Sequence, residues 1–188
     1  MEFIQGDKRG IMIVIILNGP GESGKGTFVE LISEIFNFSY EKYSSIAWAK
    51  KIAELHFGWK GDKTPENREL IGKIKQLGIE YGNIPFKKVV SRYRRAFANH
   101  YDLFITDVRE PDEINKLKLH FKHIRIKCIT IRIQNTQKEQ YAAENLGIAD
   151  NQYANFDYDF EIPNNGTIED FRKTIMSMLD GQLTIKRS

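Results

Sequence analysis

A chain of 188 residues that is 41% hydrophobic and 28% charged, with a formal net charge of +3, can bury a sizeable core and is most simply one domain. That composition is ordinary for a soluble globular protein, and the charge is too small for a bulk nucleic-acid binder. The single cysteine, Cys128, excludes a disulfide within the chain, and its apolar surroundings point to core packing rather than redox or metal chemistry.

Met1 to Gly10 is polar and mixed in charge, and the apolar run Ile11 to Leu17 is too short to span a bilayer. No leader or membrane span is therefore expected, and the chain reads as cytoplasmic. Ile11 to Leu17 is β-branched and almost continuously apolar, the pattern of a strand buried on both faces of a parallel sheet.

Gly19-Pro20-Gly21-Glu22-Ser23-Gly24-Lys25-Gly26-Thr27 follows directly, and a helical segment from about Thr27 to Phe36 comes next. Gly, four residues, then Gly-Lys between a strand and a helix is the pattern of a phosphate-binding loop. Glycines let successive backbone N–H groups curl around an anion, and the helix points its positive end at the same place. Lys25 adds a mobile cation. The expected nucleotide contacts are Gly19, Gly21, Glu22, Ser23, Gly24, Lys25, Gly26, Thr27 and Phe28. In the commonest loop the residue after the Lys is a Mg²⁺-ligating Ser or Thr. Here Gly26 intervenes, so Thr27 either serves the metal or contacts an α- or β-phosphate while Mg²⁺ keeps more of its waters.

Beyond this loop, Phe38 to Tyr43 reads as extended, Ser45 to His56 as helix and Gly58 to Pro65 as loop. Two helical stripes follow, one marked by Leu70, Ile74, Leu77 and Tyr81, the other by Phe86, Val89 or Val90, Tyr93 and Phe97. Lys60 to Arg95 holds ten Lys or Arg against four Asp or Glu, with Lys88, Arg92 and Arg95 on one helix face. That face is either solvated or a source of cations for an acceptor's phosphate.

Leu103 to Thr106 forms a short strand ending at Asp107, and a helix starts near Pro111. A carboxylate there can hold Mg²⁺ through water or orient the attacking oxygen. Arg109 can fork onto a phosphate. In the alternative, Asp107 and Arg109 pair with each other or cap the helix. Ile124 to Ile133 reads as a strand, Gln134 to Asn155 as a polar stretch with a short helix ending near Gly147, and Phe156 to Ile162 as the last strand. The last helix is Thr167 to Leu179, with Thr167 as N-cap and Asp170 three residues on.

Alternating strands and helices make an α/β fold with a parallel sheet flanked by helices, in which ligands bind beyond the carboxyl ends of the strands. The phosphate loop, Asp107 to Arg109, Arg132 and Asn164 to Gly166 all fall at predicted strand ends.

The loop itself resembles that of adenylate kinases. Together with Asp107-Val108-Arg109 and Ile162-Pro163-Asn164-Asn165-Gly166-Thr167-Ile168-Glu169-Asp170-Phe171, it resembles the phage-type deoxynucleoside monophosphate kinases. These carry an Asp-Thr-Arg strand end and a final Asn-Asp-Gly-Ser-Leu-Glu-Glu-Leu segment. Phosphomevalonate kinases share the layout, and dephospho-coenzyme A kinases are looser relatives. Tyr43 to Ile52, with Lys50, is similar to the segment those families place over the acceptor, although Ala47-Trp48 stands in place of Gly-Pro. Lys73, Lys75, Leu77 and Gly78 stand where the family has an Arg-rich helix before Leu-Gly.

The resemblance implies a three-layer P-loop kinase fold over residues 1–188, an acceptor-binding insertion near 38–98 and a lid near 134–155 with Lys138 as its one cation. It implies ATP and Mg²⁺ as cofactors, with the metal near Thr27 and Asp107. Lys25, Asp107 and Arg132 would serve catalysis, and Lys50, Arg92, Arg109 and Lys138 the substrate. Asn165 and Gly166 would line the adenine. The implied reaction is ATP-dependent phosphoryl transfer to a nucleoside or deoxynucleoside monophosphate. Another small phosphorylated metabolite, such as phosphomevalonate, and a low-turnover nucleotide switch are the alternatives. Phosphorylation of nucleic-acid ends is disfavoured by the modest charge, no membrane partner is expected, and a homodimer is compatible with all of these.

Overall fold

The computed structural model describes residues 12–145 and 152–183. The polar start Met1 to Gly10, the predicted strand start at Ile11 and the predicted helix end at Gly147 lie outside them. Five strands are present among the described residues: β1 Ile13–Asn18, β2 Tyr40–Ser44, β3 Leu103–Asp107, β4 Cys128–Gln134 and β5 Phe160–Pro163. They pair in the order β2-β3-β1-β4-β5, all parallel, so β1 is central, as its continuous apolarity predicts.

Successive β1 side chains face opposite layers. Ile13, Ile15 and Leu17 pack under α1 (Lys25–Phe36) and α7 (Ile168–Leu179), against Phe28, Ile32, Phe171 and Ile175. Met12, Val14 and Ile16 pack under α4 (Ile84–Ala98) and α5 (Pro111–His123), against Val89, Tyr93, Ile114 and Phe121. The helices that follow the adjacent strands β1 and β3 thus leave to opposite faces. They open a crevice at the strands' carboxyl ends, the usual ligand position in such a sheet.

The predicted strands at 124–133 and 156–162 are shorter than expected. Ile124 closes α5, and Arg125 turns the chain in a left-handed conformation (φ 58), so β4 begins only at Cys128. Before β5, the Asp159 carboxylate accepts from the Thr130 N–H and hydroxyl, both at 2.7 Å, standing in for a strand ladder there. Cys128 is half-buried beside the α5 layer, and burial pushes its thiol up to about 12, which leaves it unreactive. The expected capping box forms: Asp170 N–H donates to Thr167 Oγ1 and Thr167 N–H to Asp170.

The helices α2 (Ala47–Phe57) and α3 (Pro65–Gly82) stand outside these layers with a small core of their own, Ala49, Ala53 and Ile71 with Trp48, Trp59, Leu70 and Ile74. Here the predicted stripe is rotated. Leu77 is 66% and Tyr81 86% exposed, whereas Ile71, Lys75 and Gly78 face inward. Two contacts cause the rotation. Gly78 lies so close to the Trp48 ring that a Cβ would come within 2.5 Å of it. Lys75, only 7% exposed, pairs with Glu110 at 2.5 Å and fixes α3 to the loop after β3. On α4, Phe97 is likewise 38% exposed while Ala96 is buried. Among the described residues no helix is long and apolar enough to cross a membrane.

The Gly78 contact predicts opposite signs at two glycines of α3. Gly72→Ala meets open space and should gain up to about 1 kcal/mol of helix propensity. Gly78→Ala should lose about 1–3 kcal/mol by overpacking. Thermal unfolding followed by tryptophan fluorescence tests this, and a stabilising Gly78→Ala would remove the close α2–α3 contact.

Candidate functional site

The loop from Gly19 to Gly24 links the end of β1 to α1 through three left-handed residues, Gly19 (φ 133), Glu22 (φ 62) and Gly24 (φ 98). Gly19 has no room for a side chain: a Cβ would stand 2.5 Å from the Ile133 carbonyl oxygen. Gly24 abuts Asn164, whose Nδ2 donates to the Ser23 carbonyl at 2.8 Å. The loop is thereby pinned to β4 on one side and to the segment after β5 on the other.

Asn18, at the end of β1 and buried, fixes its start. Its Oδ1 accepts from Gly19 N–H at 2.8 Å, and its Nδ2 donates to the Tyr158 hydroxyl at 2.7 Å and the Arg109 carbonyl at 3.2 Å. Within the described residues, the amides of Glu22, Gly24, Lys25, Gly26 and Thr27 have no protein acceptor. Unpaired donors at a helix N-terminus make an anion site. Ser23 Oγ is buried without a partner beneath them. Phe28 contributes neither group: its side chain is in the core and its amide donates to the Gly24 carbonyl at 2.8 Å.

Lys25 folds back onto the loop, donating to the Gly19 carbonyl at 2.9 Å and the Pro20 carbonyl at 2.5 Å. Burial lowers its pKa to about 8 against the pull of the Asp107 carboxylate, and the charges of Arg109 and Lys42 lower it further. Asp107 ends β3 beside the end of β1. Lys42 of β2 pairs with its Oδ2 at 3.5 Å, while its Oδ1 is buried and unpartnered. Lys50 of α2 lies 5.9 Å from the Trp59 ring centroid. Burial and then the charges of Arg109 and Lys63 lower its pKa, and Asp107 opposes them. Lys25, Lys42 and Lys50, from the phosphate loop, β2 and α2, therefore share the field of one carboxylate, and the charge of Arg109 reaches both Lys25 and Lys50 while that of Lys63 reaches Lys50. An unpartnered carboxylate oxygen suits a hard cation such as Mg²⁺, although among the described residues no group of three His, Cys, Asp or Glu side chains forms a metal cluster.

The other expected residues are placed as follows. Arg132, at the end of β4 and 13% exposed, is held by Glu139 of α6 (Thr136–Asn145) at 2.8 Å and by Glu161 at 3.6 Å, over the Tyr153 ring. Lys138 of α6 reaches Glu22 of the loop at 3.1 Å. Arg92 lies on the flank of the sheet, 5.2 Å from the Tyr43 ring centroid and 3.8 Å from Glu41. Thr27 and Gly26 are in the first turn of α1. Asn165 Oδ1 accepts from Thr136 N–H at 2.9 Å, and Gly166 sits against Asp170. Lys42, Lys63 and Asn18 were not foreseen, whereas Asn164, expected at the strand end with Asn165 and Gly166, holds the loop through its side chain. Asn18 alone had a local signal, an amide closing an apolar strand. The lysines come from segments that only the fold brings together.

No protein-family model matches this sequence, and no curated protein matches it. Solved structures do. The tunicamycin resistance protein of Deinococcus radiodurans superposes with a TM-score of 0.53 at 12% identity, covering 93% of this chain and 98% of that one. A Chloroflexus aurantiacus protein provisionally described as a kinase gives 0.51 at 12% identity over 92% and 98%. Shikimate kinase of Aquifex aeolicus gives 0.49 at 17% identity over 90% and 98%. These likenesses show the fold alone, a parallel α/β sheet flanked by helices.

Lys25 sets a testable pH dependence. It is charged below about pH 8, and a phosphate beside it raises its pKa, so binding above pH 8 takes up a proton. ATP affinity should be flat in this respect below pH 8 and fall above it by at most about tenfold per pH unit. Lys25→Arg, charged throughout, should flatten the slope. Calorimetric titrations across this range check it, and an equal slope in the arginine variant would assign the proton elsewhere.

Proposed function

We propose that this protein transfers a phosphoryl group from ATP to a small phosphorylated acceptor, a nucleoside or deoxynucleoside monophosphate, giving the diphosphate. The observation that carries this reading is the gathering of Lys25, Lys42 and Lys50 at Asp107, with Arg109 and Lys63 charged close by, beside loop amides that have no protein acceptor. Four of these cations lie outside the phosphate loop. Positive charge coming from β2, α2 and the loop after β3 rather than from the phosphate loop suits a second phosphorylated molecule.

In this reading the loop amides from Glu22 to Thr27 hold the donor's phosphates and Lys25 leaves the Gly19 and Pro20 carbonyls for them. Lys50 and Arg109 hold the acceptor's phosphate and Lys42 orients Asp107. Mg²⁺, held through Asp107 and near Thr27, would neutralise charge on the transferring group. An acceptor phosphate is already an anion, so the chemistry asks for positioning and charge neutralisation, not a general base. The α2–α3 pair flanks the acceptor side, and α6 begins the lid. The short motifs shared with deoxynucleoside monophosphate kinases support the finer choice of acceptor. Phosphomevalonate is the acceptor of a related layout. The protein would work in the cytoplasm.

One observation favours a low-turnover nucleotide switch instead. Arg132, the cation at the root of the lid, is engaged by Glu139 and Glu161, and charge stabilisation during transfer would need it released.

ADP production from ATP with a panel of monophosphates separates these readings. Turnover with a nucleoside monophosphate is expected. Turnover only with phosphomevalonate would move the assignment, and ATP binding with no turnover on any acceptor would favour the switch. Lys25→Ala should cut turnover by at least about a hundredfold with the fold intact. Arg109→Ala should mainly raise the acceptor's KM. Retained activity in the first or unchanged acceptor dependence in the second would remove that residue's role.

A further inference from the structure

Glu22 occupies a position in the phosphate loop where its own backbone argues against it. Its φ is 62, a left-handed conformation that is unfavourable for a residue with a Cβ and free for glycine. That conformation turns its carboxylate out of the loop toward two lysines from different parts of the chain. Lys63, in the segment joining α2 and α3, is 3.8 Å from one carboxylate oxygen, and Lys138 of α6 is 3.1 Å from the other. The hydrogen bond and charge of Lys138, followed by the charge of Lys63, hold the carboxyl below its ordinary range. One side chain thereby joins the phosphate loop, the segment between α2 and α3, and α6.

Building on the proposed ATP reading, we infer that Glu22 is a phosphate mimic. In the nucleotide-free protein it holds Lys63 and Lys138 at the mouth of the loop, and it yields both to the outer phosphates of bound ATP. The exchange follows from charge. The loop amides draw a multiply charged polyphosphate to within a few ångströms of Glu22, which repels the carboxylate and outbids it for both ammonium groups. The pairs are solvent-exposed, so each is weak and readily exchanged. Lys63 thereby becomes a phosphate ligand contributed by the acceptor side and Lys138 one contributed by the lid, and filling the loop draws both segments toward it. Glu22 is a positioning residue, acting through the two lysines.

The test uses Glu22→Gln, which keeps shape and removes charge. In the nucleotide-free protein, amide hydrogen exchange over residues 58–64 and 136–145 should speed up in the variant. The difference should vanish in saturating ATP. The variant should bind ATP about fivefold more tightly, and that gain should disappear in a Lys63→Met, Lys138→Met background. Unchanged exchange in the nucleotide-free variant overturns the bridge. A gain that persists without the lysines overturns the hand-over and makes Glu22 a simple local charge. If the unaltered protein binds no ATP, the proposed reaction and the hand-over both fail, while the exchange measurement still decides whether the bridge exists.

Discussion

The carboxyl edge of the sheet depends on the charge balance around Asp107. Burial lowers the pKa values of Lys25 and Lys50, and the charges of neighbouring cations, Arg109 with Lys42 at the first and Arg109 with Lys63 at the second, lower them further. Asp107 is the counter-ion both share. It sits where β3 lies between β2 and β1, so Lys42 and the phosphate loop approach it from opposite sides. A phosphate entering this crevice would relieve repulsion already present, which is how a fold prepays for binding an anion. Without Asp107 the same lysines would deprotonate or turn to solvent.

The loop's shape is maintained by neutral contacts, independently of that charge. Asn18 joins Gly19, Tyr158 and the Arg109 backbone, and Asn164 holds Ser23. Tyr158 in turn donates to the Tyr153 carbonyl at 3.0 Å, and the Tyr153 ring lies under Arg132. Asn18 thus connects the start of the phosphate loop to the Arg109 backbone, and Tyr158 and Tyr153 extend that connection to Arg132. Burial raises the pKa of the Tyr158 hydroxyl, so it stays neutral. Neutral amides and hydroxyls can support a site of high positive charge without cancelling it.

What the sequence made legible follows the range of each signal. The central strand, the loop after it and the Thr167–Asp170 cap are written in consecutive residues, and each is found where its pattern lies. The inward face of α3 was misjudged because Leu77 and Tyr81 look apolar. Gly78 and Lys75 face inward for reasons outside the helix, a tryptophan ring and a distant glutamate. The early strand starts at 124 and 156 failed for the same reason, since a left-handed arginine and an aspartate side chain replace ladder bonds there. The phosphate loop, Asp107, Arg109 and Lys50 could be picked out because strand ends and resemblance mark them. Lys42 and Lys63 could not, because a lysine on a strand or in a loop looks the same whether it faces solvent or, as here, the Asp107 or Glu22 carboxylate.

Arg132 and Lys25 share a condition that connects the lid to the loop. In the proposed reaction each would serve the transferred phosphate, and each is occupied by the protein's own oxygens: Arg132 by Glu139 and Glu161, Lys25 by the Gly19 and Pro20 carbonyls. Glu22 adds Lys63 and Lys138 to that set. Such contacts keep long, flexible cations near their working positions, so less side-chain entropy remains to be lost when a ligand arrives. They also set an order of release. Lys25 gives up neutral carbonyls, whereas Arg132 must leave two carboxylates while only 13% exposed. In the proposed reading, filling the loop would precede freeing Arg132, and its ion pairs would separate binding a nucleotide from acting on it.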